Sequence, residues 1–285
     1  MSEEGTKGTS RRQFVELAAA TAAMTGAAAL GTSRAHAHRG GGHGRGAHFV
    51  LVHGAWHGAW CWYEVVPELE RWGHRVTVVD LPSHGIDAAP PGTVTLDDYA
   101  SRVISVIDAL DEPVVLVGHS MGGVVISTVA EALPEKIDKL VYLTAFLLRD
   151  GQSLFDVAST DAGSLATPNL LPDPGAGTID VRRSEIRDIF YHRCSDAHVQ
   201  LARSLLKVNP LAPIVTPLSL TSEGFGSVRR FYVECLEDQA ISIAAQRAMV
   251  AATPCEEVLR MRTDHSPFFS EVPTLVRHLT RIASR

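Results

Sequence analysis

Residues Gly118-His119-Ser120-Met121-Gly122 set a serine between two glycines, a G-x-S-x-G pattern. The apolar run "PVVLVGH" precedes it and the helix-like "SMGGVVISTVAEAL" continues from it. A strand that turns sharply into a helix at this point lifts the serine hydroxyl above a sheet and leaves backbone N–H groups beside it. The chemistry implied is nucleophilic. A serine hydroxyl needs a base, and the base needs a carboxylate to orient it. In this arrangement the partners follow in the order serine, acid, histidine, each after a later strand. His265 follows the run "EEVLRMR" and is the candidate base. The run "RRFYVECL" is followed by Glu237 and Asp238, with Asp238 the candidate acid and Glu237 the close runner-up. Asp264 adjoins His265 in sequence and is badly placed to orient its ring.

These residues need a sheet to bring them together. Six apolar runs read as strands: "HFVLVHG", "RVTVVDL", "PVVLVGH", "KLVYLTA", "RRFYVECL" and "EEVLRMR". Most are continuous rather than alternating, which suits strands buried on both faces of a parallel sheet. Helical stripes lie between them. Leu96, Tyr99, Val103, Ile107 and Leu110 step by three and four behind Thr95, a candidate N-cap. Val272, Leu275, Val276, Leu279 and Ile282 make a second stripe near the end. The alternation predicts a doubly wound α/β fold. It lapses once, over residues 147–227, where Pro/Gly clusters and helix-like pieces replace any clear strand. An insert of that length, after the fourth strand, is expected to be a mostly helical cap over the carboxyl ends of the sheet.

The bulk composition is ordinary for a globular chain: 285 residues, 45% hydrophobic, 20% charged, net charge −6. That balance gives no basic surface for nucleic acid. Cys61, Cys194, Cys235 and Cys255 lack zinc-type spacing. The first 37 residues look like an address rather than fold. Arg11 and Arg12 precede a weakly apolar Ala-rich run and Ala35-His36-Ala37, which predicts a twin-arginine export signal and an extracellular or periplasmic protein. Residues 38–46 would then be a flexible Gly/His-rich leader, and 47–285 the folded domain. No stable membrane insertion is expected once the signal is removed.

One further stretch stands out. "LVHGAWHGAWCW" carries HGAW twice, His53 to Trp56 and His57 to Trp60. Neither histidine has the carboxylate or cysteine spacing of a metal site, and nothing else recurs. The first copy leaves a strand end; the second leads into a helix and is expected to pack it against the sheet. His119 lies in or beside the site, with no proton-transfer role assigned. His192 and His198 read as surface residues of the cap, and His74 as part of a turn before a strand.

Taken together, "HFVLVHGAWHGAWCWY", "GHRVTVVDLPSHG", "VGHSMGG", "GFGSVRRFYVECLEDQAI" and "DHSPFFSE" resemble the plant methylesterase and hydroxynitrile lyase group of α/β-hydrolases. Bacterial pyrethroid-hydrolysing esterases are among the relatives of that group. The resemblance covers nearly all of the chain after the signal. It implies an α/β-hydrolase fold with a six-stranded, mainly parallel sheet. It implies Asp238 as the acid, and an oxyanion hole from the backbone N–H groups of Ala55 and Met121. The expected activity is a serine carboxylic ester hydrolase acting on a small or medium neutral ester, aromatic ones included, with no metal or organic cofactor. Two rivals stand beside it. Hydroxynitrile lyases of the group carry a threonine where this chain has Gly54, and a lysine where it has Ser266. A ligand-binding, receptor-like hydrolase fold is the other. Gly54, Trp56, His119, Phe146, Leu147, Phe225, Ser266 and Phe268 are expected around the substrate pocket. The oligomeric state is left open, a homodimer included.

Overall fold

The computed structural model describes residues 46–285. The expected export signal (1–37) and all but the last residue of the leader (38–46) lie outside the described residues.

The first four strands are β1 (His48–Val52), β2 (Arg75–Val79), β3 (Val114–His119) and β4 (Ile137–Leu143). After an insertion come three short strands, β5 (Leu170–Asp173), β6 (Thr178–Val181) and β7 (Asn209–Pro210). β8 (Arg230–Cys235) and β9 (Glu257–Met261) then complete the main sheet. Its order is β2-β1-β3-β4-β8-β9, and every pairing is parallel. All six expected core strands are present. β3 is buried along its whole length, as the middle of a sheet covered on both faces should be. β2, at the edge, is half exposed, which accounts for its polar Arg75 and Thr77.

The chain starts at β1, moves out to β2, then crosses back to β3. The direction of winding therefore reverses between β1 and β3, and a crevice opens at their carboxyl ends. Gly118 of β3 pairs with Val52 of β1, so residues 53–56 and Ser120 leave the sheet side by side.

The helices form as their stripes require. Leu96–Asp108 begins with a capping box: Thr95 Oγ1 accepts from the Asp98 N–H at 3.1 Å, and Asp98 Oδ2 accepts from the Thr95 N–H at 2.9 Å. Val272–Ala283 buries the five residues of its stripe. Among the described residues, no helix is long and apolar enough to cross a membrane.

The insertion differs from expectation in one respect. It holds four helices (Leu154–Ala158, Ile186–Phe190, Asp196–Leu205, Ala212–Val215), but also a three-stranded antiparallel sheet, β5-β6-β7. β5 and β6 form a hairpin across "PGAG", closed by the Gly177 N–H on the Pro174 carbonyl at 3.2 Å. Strands of four and two residues are too short to show a period of two. The Pro/Gly cluster was a turn signal between them.

Candidate active site

Ser120 has φ +54°, a conformation that L-residues avoid and that this turn imposes. The turn leaves no room for side chains beside it: a Cβ on Gly118 would stand 2.6 Å from the Gly122 carbonyl oxygen.

Asp238 follows β8 and His265 follows β9, and the two meet. His265 Nδ1 lies 2.7 Å from Asp238 Oδ2, and both side chains are buried. With the carboxylate as acceptor, Nδ1 carries the proton and Nε2 is left basic. The backbone fixes the carboxylate: its Oδ1 accepts from the N–H groups of Ala240 (2.7 Å) and Ile241 (2.9 Å). The Thr144 hydroxyl donates to Oδ2, from a residue at the end of β4 with φ +38°. Glu237, the runner-up, turns outward to Arg193 (2.7 Å) and Arg262 (2.8 Å). Asp264 turns away from His265 as well, and accepts from the Arg193 N–H and the Ser270 hydroxyl.

The doubled HGAW is a scaffold of backbone contacts. His53 Nδ1 donates to the Gly54 carbonyl (2.8 Å), while its Nε2 accepts from the Leu81 N–H (3.2 Å). His57 Nδ1 donates to the Ala55 carbonyl (2.8 Å), and its Nε2 accepts from the Tyr191 hydroxyl (2.6 Å). Both rings are therefore neutral. Burial drives the His53 pKa well below 6.5 and the His57 pKa down to about 3. A trans peptide points its C=O and N–H in opposite directions. Anchoring the Gly54 carbonyl therefore aims the Ala55 N–H away from His53. Neither that N–H nor the Met121 N–H donates to an acceptor among the described residues, although both residues are buried. Unpaired buried donors are rare enough to mark a place for an anion.

Between the sheet and the insertion lies an apolar cavity. Ala55, Trp56, Ser120, Met121 and Phe146 form its floor, and Leu154, Ile179, Phe190 and Ile214 of the insertion help cover it. No charged residue lines it. Ser164 and Thr167 are on the wall, but their hydroxyls donate to the Ala240 and Ala158 carbonyls.

The expected pocket residues divide. Trp56 and Phe146 line the cavity, and Gly54 lies against the serine: a Cβ on it would stand 2.7 Å from Ser120 Cβ and 2.9 Å from His119 Nδ1. His119 sits behind the site. Its Nε2 donates to the His265 carbonyl (2.8 Å), and burial with His265 close by depresses its pKa well below 6.5. The other four do not reach the cavity wall. Leu147 lines a separate groove beside helix Ile243–Ala252. Phe225 is buried under Arg230, whose guanidinium is 4.8 Å from its ring. Ser266 is fully buried. Phe268 packs edge-on beneath His119 at 5.0 Å. His198 is partly buried rather than free at the surface: it stacks on Phe269 (4.6 Å) and meets Glu64 (3.1 Å), joining the insertion to the first helical segments. His74 does precede β2, with its ring edge-on to Phe49.

Residues 49–277 match the model of the "Alpha/beta hydrolase family". The chain belongs to that family. Among curated proteins, this chain is 38% identical over 250 residues to "Putative methylesterase 11, chloroplastic" of Arabidopsis thaliana. The match covers 83% of this chain but 64% of that protein, so the chain spans less than two thirds of that relative's length. It is also 38% identical to Methylesterase 2 of Arabidopsis thaliana, over 84% of this chain and 97% of that one. Among solved structures, the pyrethroid hydrolase from Sphingobium faniae JZ-2 superposes with a TM-score of 0.76 at 26% identity, covering 84% of this chain and 97% of that chain.

Several residues of the site are silent in the sequence. Thr144, Tyr191 and Asn209 carry no motif, and His84 lies within the run "GHRVTVVDLPSHG" without any local sign of a role. The cover residues Leu154 and Phe190 sit in short helices; only the Ser153–Asp156 capping box signals the first of them.

Proposed function

We propose that this protein is a serine carboxylic ester hydrolase for small to medium neutral esters, aromatic ones included. The observation that carries the proposal is the buried Asp238–His265 pair at 2.7 Å, on the same carboxyl-end face as the strained Ser120 turn. The relatives named as methylesterases and the pyrethroid hydrolase structure support the same chemistry.

In this mechanism His265 Nε2 takes the proton as Ser120 Oγ attacks the ester carbonyl carbon. The carbonyl oxygen becomes an oxyanion held by the Ala55 and Met121 N–H groups. The C–O bond to the alcohol breaks, and His265 returns its proton to the departing oxygen. Water, activated by His265, then cleaves the acyl-enzyme. The uncharged wall favours neutral substrates, since a charged one would be desolvated without a partner.

A hydroxynitrile lyase is disfavoured by Gly54. A threonine there would collide with Ser120 Cβ and His119. Neutral Ser266 also offers no charge to departing cyanide. A ligand-binding protein without turnover is separated by experiment. With p-nitrophenyl acetate, the wild type should release a burst of p-nitrophenol and then turn over, while Ser120→Ala should do neither. Equal rates for the two proteins would end the esterase proposal.

A further inference from the structure

Trp56 is the residue after the proposed oxyanion donor Ala55, and the insertion grips it at every polar atom. Its N–H donates to Asn209 Oδ1 (3.2 Å), its indole Nε1–H to the Ile179 carbonyl (3.1 Å), and its carbonyl accepts from the Lys207 N–H (2.9 Å). All three partners lie in or beside the small sheet. Trp56 has φ +64°, which a bulky residue adopts only where its surroundings over-determine it.

Asn209 is the centre of this grip. It is fully buried and sits on β7, in register with Ile179 of β6. The Trp56 N–H requires an oxygen, so the orientation of the amide follows: Oδ1 faces Trp56 and Nδ2 faces the other way. His84 Nε2 then donates to the same Oδ1 at 2.9 Å. Nδ2 donates to the Pro210 carbonyl (2.7 Å) and lies 3.7 Å from Met121 Sδ. One amide therefore touches both sides of the anion site: the loop that carries the Ala55 N–H and the side chain of Met121, whose N–H is the second donor. A neutral planar group with an acceptor on one side and a donor on the other is what the position demands; leucine supplies neither.

We infer that Asn209, held on β7 by its pairing with β6, is a positioning residue for the oxyanion hole; the inference rests on the ester-hydrolase proposal above. Asn209 touches no reacting atom. It acts through Trp56: with the N–H of Trp56 on Asn209 and the carbonyl of Ala55 on His57, the peptide after Ala55 is fixed at both ends. The Ala55 N–H, aimed by His53 from the other side, then cannot swing.

The test is Asn209→Leu, similar in volume and without the acceptor, with Asn209→Ser as the milder variant should leucine not be accommodated. Circular dichroism first establishes that each variant is folded. On p-nitrophenyl acetate, kcat should fall ~10–100-fold while KM stays within ~3-fold, the signature of an interaction made in the transition state. An aryl trifluoromethyl ketone, which forms a tetrahedral adduct on the serine, should lose affinity by the factor lost in kcat/KM. Folded variants with unchanged kcat, or ones that lose rate without losing affinity for the ketone, overturn the inference and leave the esterase intact. Ser120→Ala assayed alongside separates the two: if it too retains full activity, the esterase proposal fails and the role given to Asn209 falls with it.

Discussion

Asp264 and Arg193 are joined across the boundary between sheet and insertion: the Arg193 N–H donates to Asp264 Oδ2 at 2.8 Å. The other carboxylate oxygen accepts from the Ser266 N–H (3.1 Å) and the Ser270 hydroxyl (2.7 Å). Asp264 thus clamps the insertion to the turn that presents His265, and its own side chain faces away from that ring. Replacing Asp264 with alanine strands these buried donors, at ~2–4 kcal/mol of stability. Asp264→Asn keeps an acceptor oxygen and should lose less. Urea unfolding followed by tryptophan fluorescence measures both. Midpoints equal to wild type would remove the clamp from the account.

Asp238 and Glu237 are neighbours in sequence with opposite fates. Asp238 is buried against His265, whereas Glu237 pairs with Arg262 and Arg193 at the surface, which hold its carboxyl below the usual carboxylate range. Asp238→Asn presents an amide N–H to His265 and favours the wrong tautomer, so kcat should drop ~10³–10⁴-fold. Glu237→Gln should keep kcat within ~2-fold, since exposed ion pairs contribute little. Steady-state rates on one ester decide between the two carboxylates. A larger loss at Glu237 would reverse the assignment.

The parts of this molecule that repeat a local period were legible without coordinates. The strand runs, the Leu96 and Val272 stripes, the serine turn and the ends of β8 and β9 each announce themselves within a dozen residues. What local pattern cannot carry is a contact between distant positions. Trp56 and Asn209 are 153 residues apart, and His57 and Tyr191 are 134 apart. Nothing in "HGAW" or "KVNPL" names its partner. Trp56 and Phe146 do line the cavity, and the pocket expectations that failed did so for the same reason. Phe268 and Phe225 lie near strand ends, where an apolar residue is equally suited to wall or core, and tertiary packing sent both to the core. The second histidine of the doubled motif was expected only to pack a helix; its hydrogen bonds to Ala55 and Tyr191 make it part of the anion site's support.

Those supporting histidines make the fold sensitive to acid. Burial lowers the pKa of His57 to about 3, and drives those of His53 and His119 well below 6.5; His84 is lowered in the same way. Once unfolded, each returns to about 6.5. Between those values the unfolded chain binds more protons than the folded one, so stability falls as pH falls. The contribution is fully present above about pH 6.5 and is lost progressively toward pH 3 for His57. Each such histidine adds up to ~1.4 kcal/mol per pH unit to the slope. Urea midpoints at pH 7.5, 6.0 and 5.0 should therefore decline steadily, well before the carboxylates titrate. His57→Gln should lower the midpoint at pH 7.5, because it loses the fit to Ala55 and Tyr191, yet flatten the decline below pH 6.5. A midpoint that holds constant from pH 7.5 to 5.0 would mean that these rings are not buried neutral.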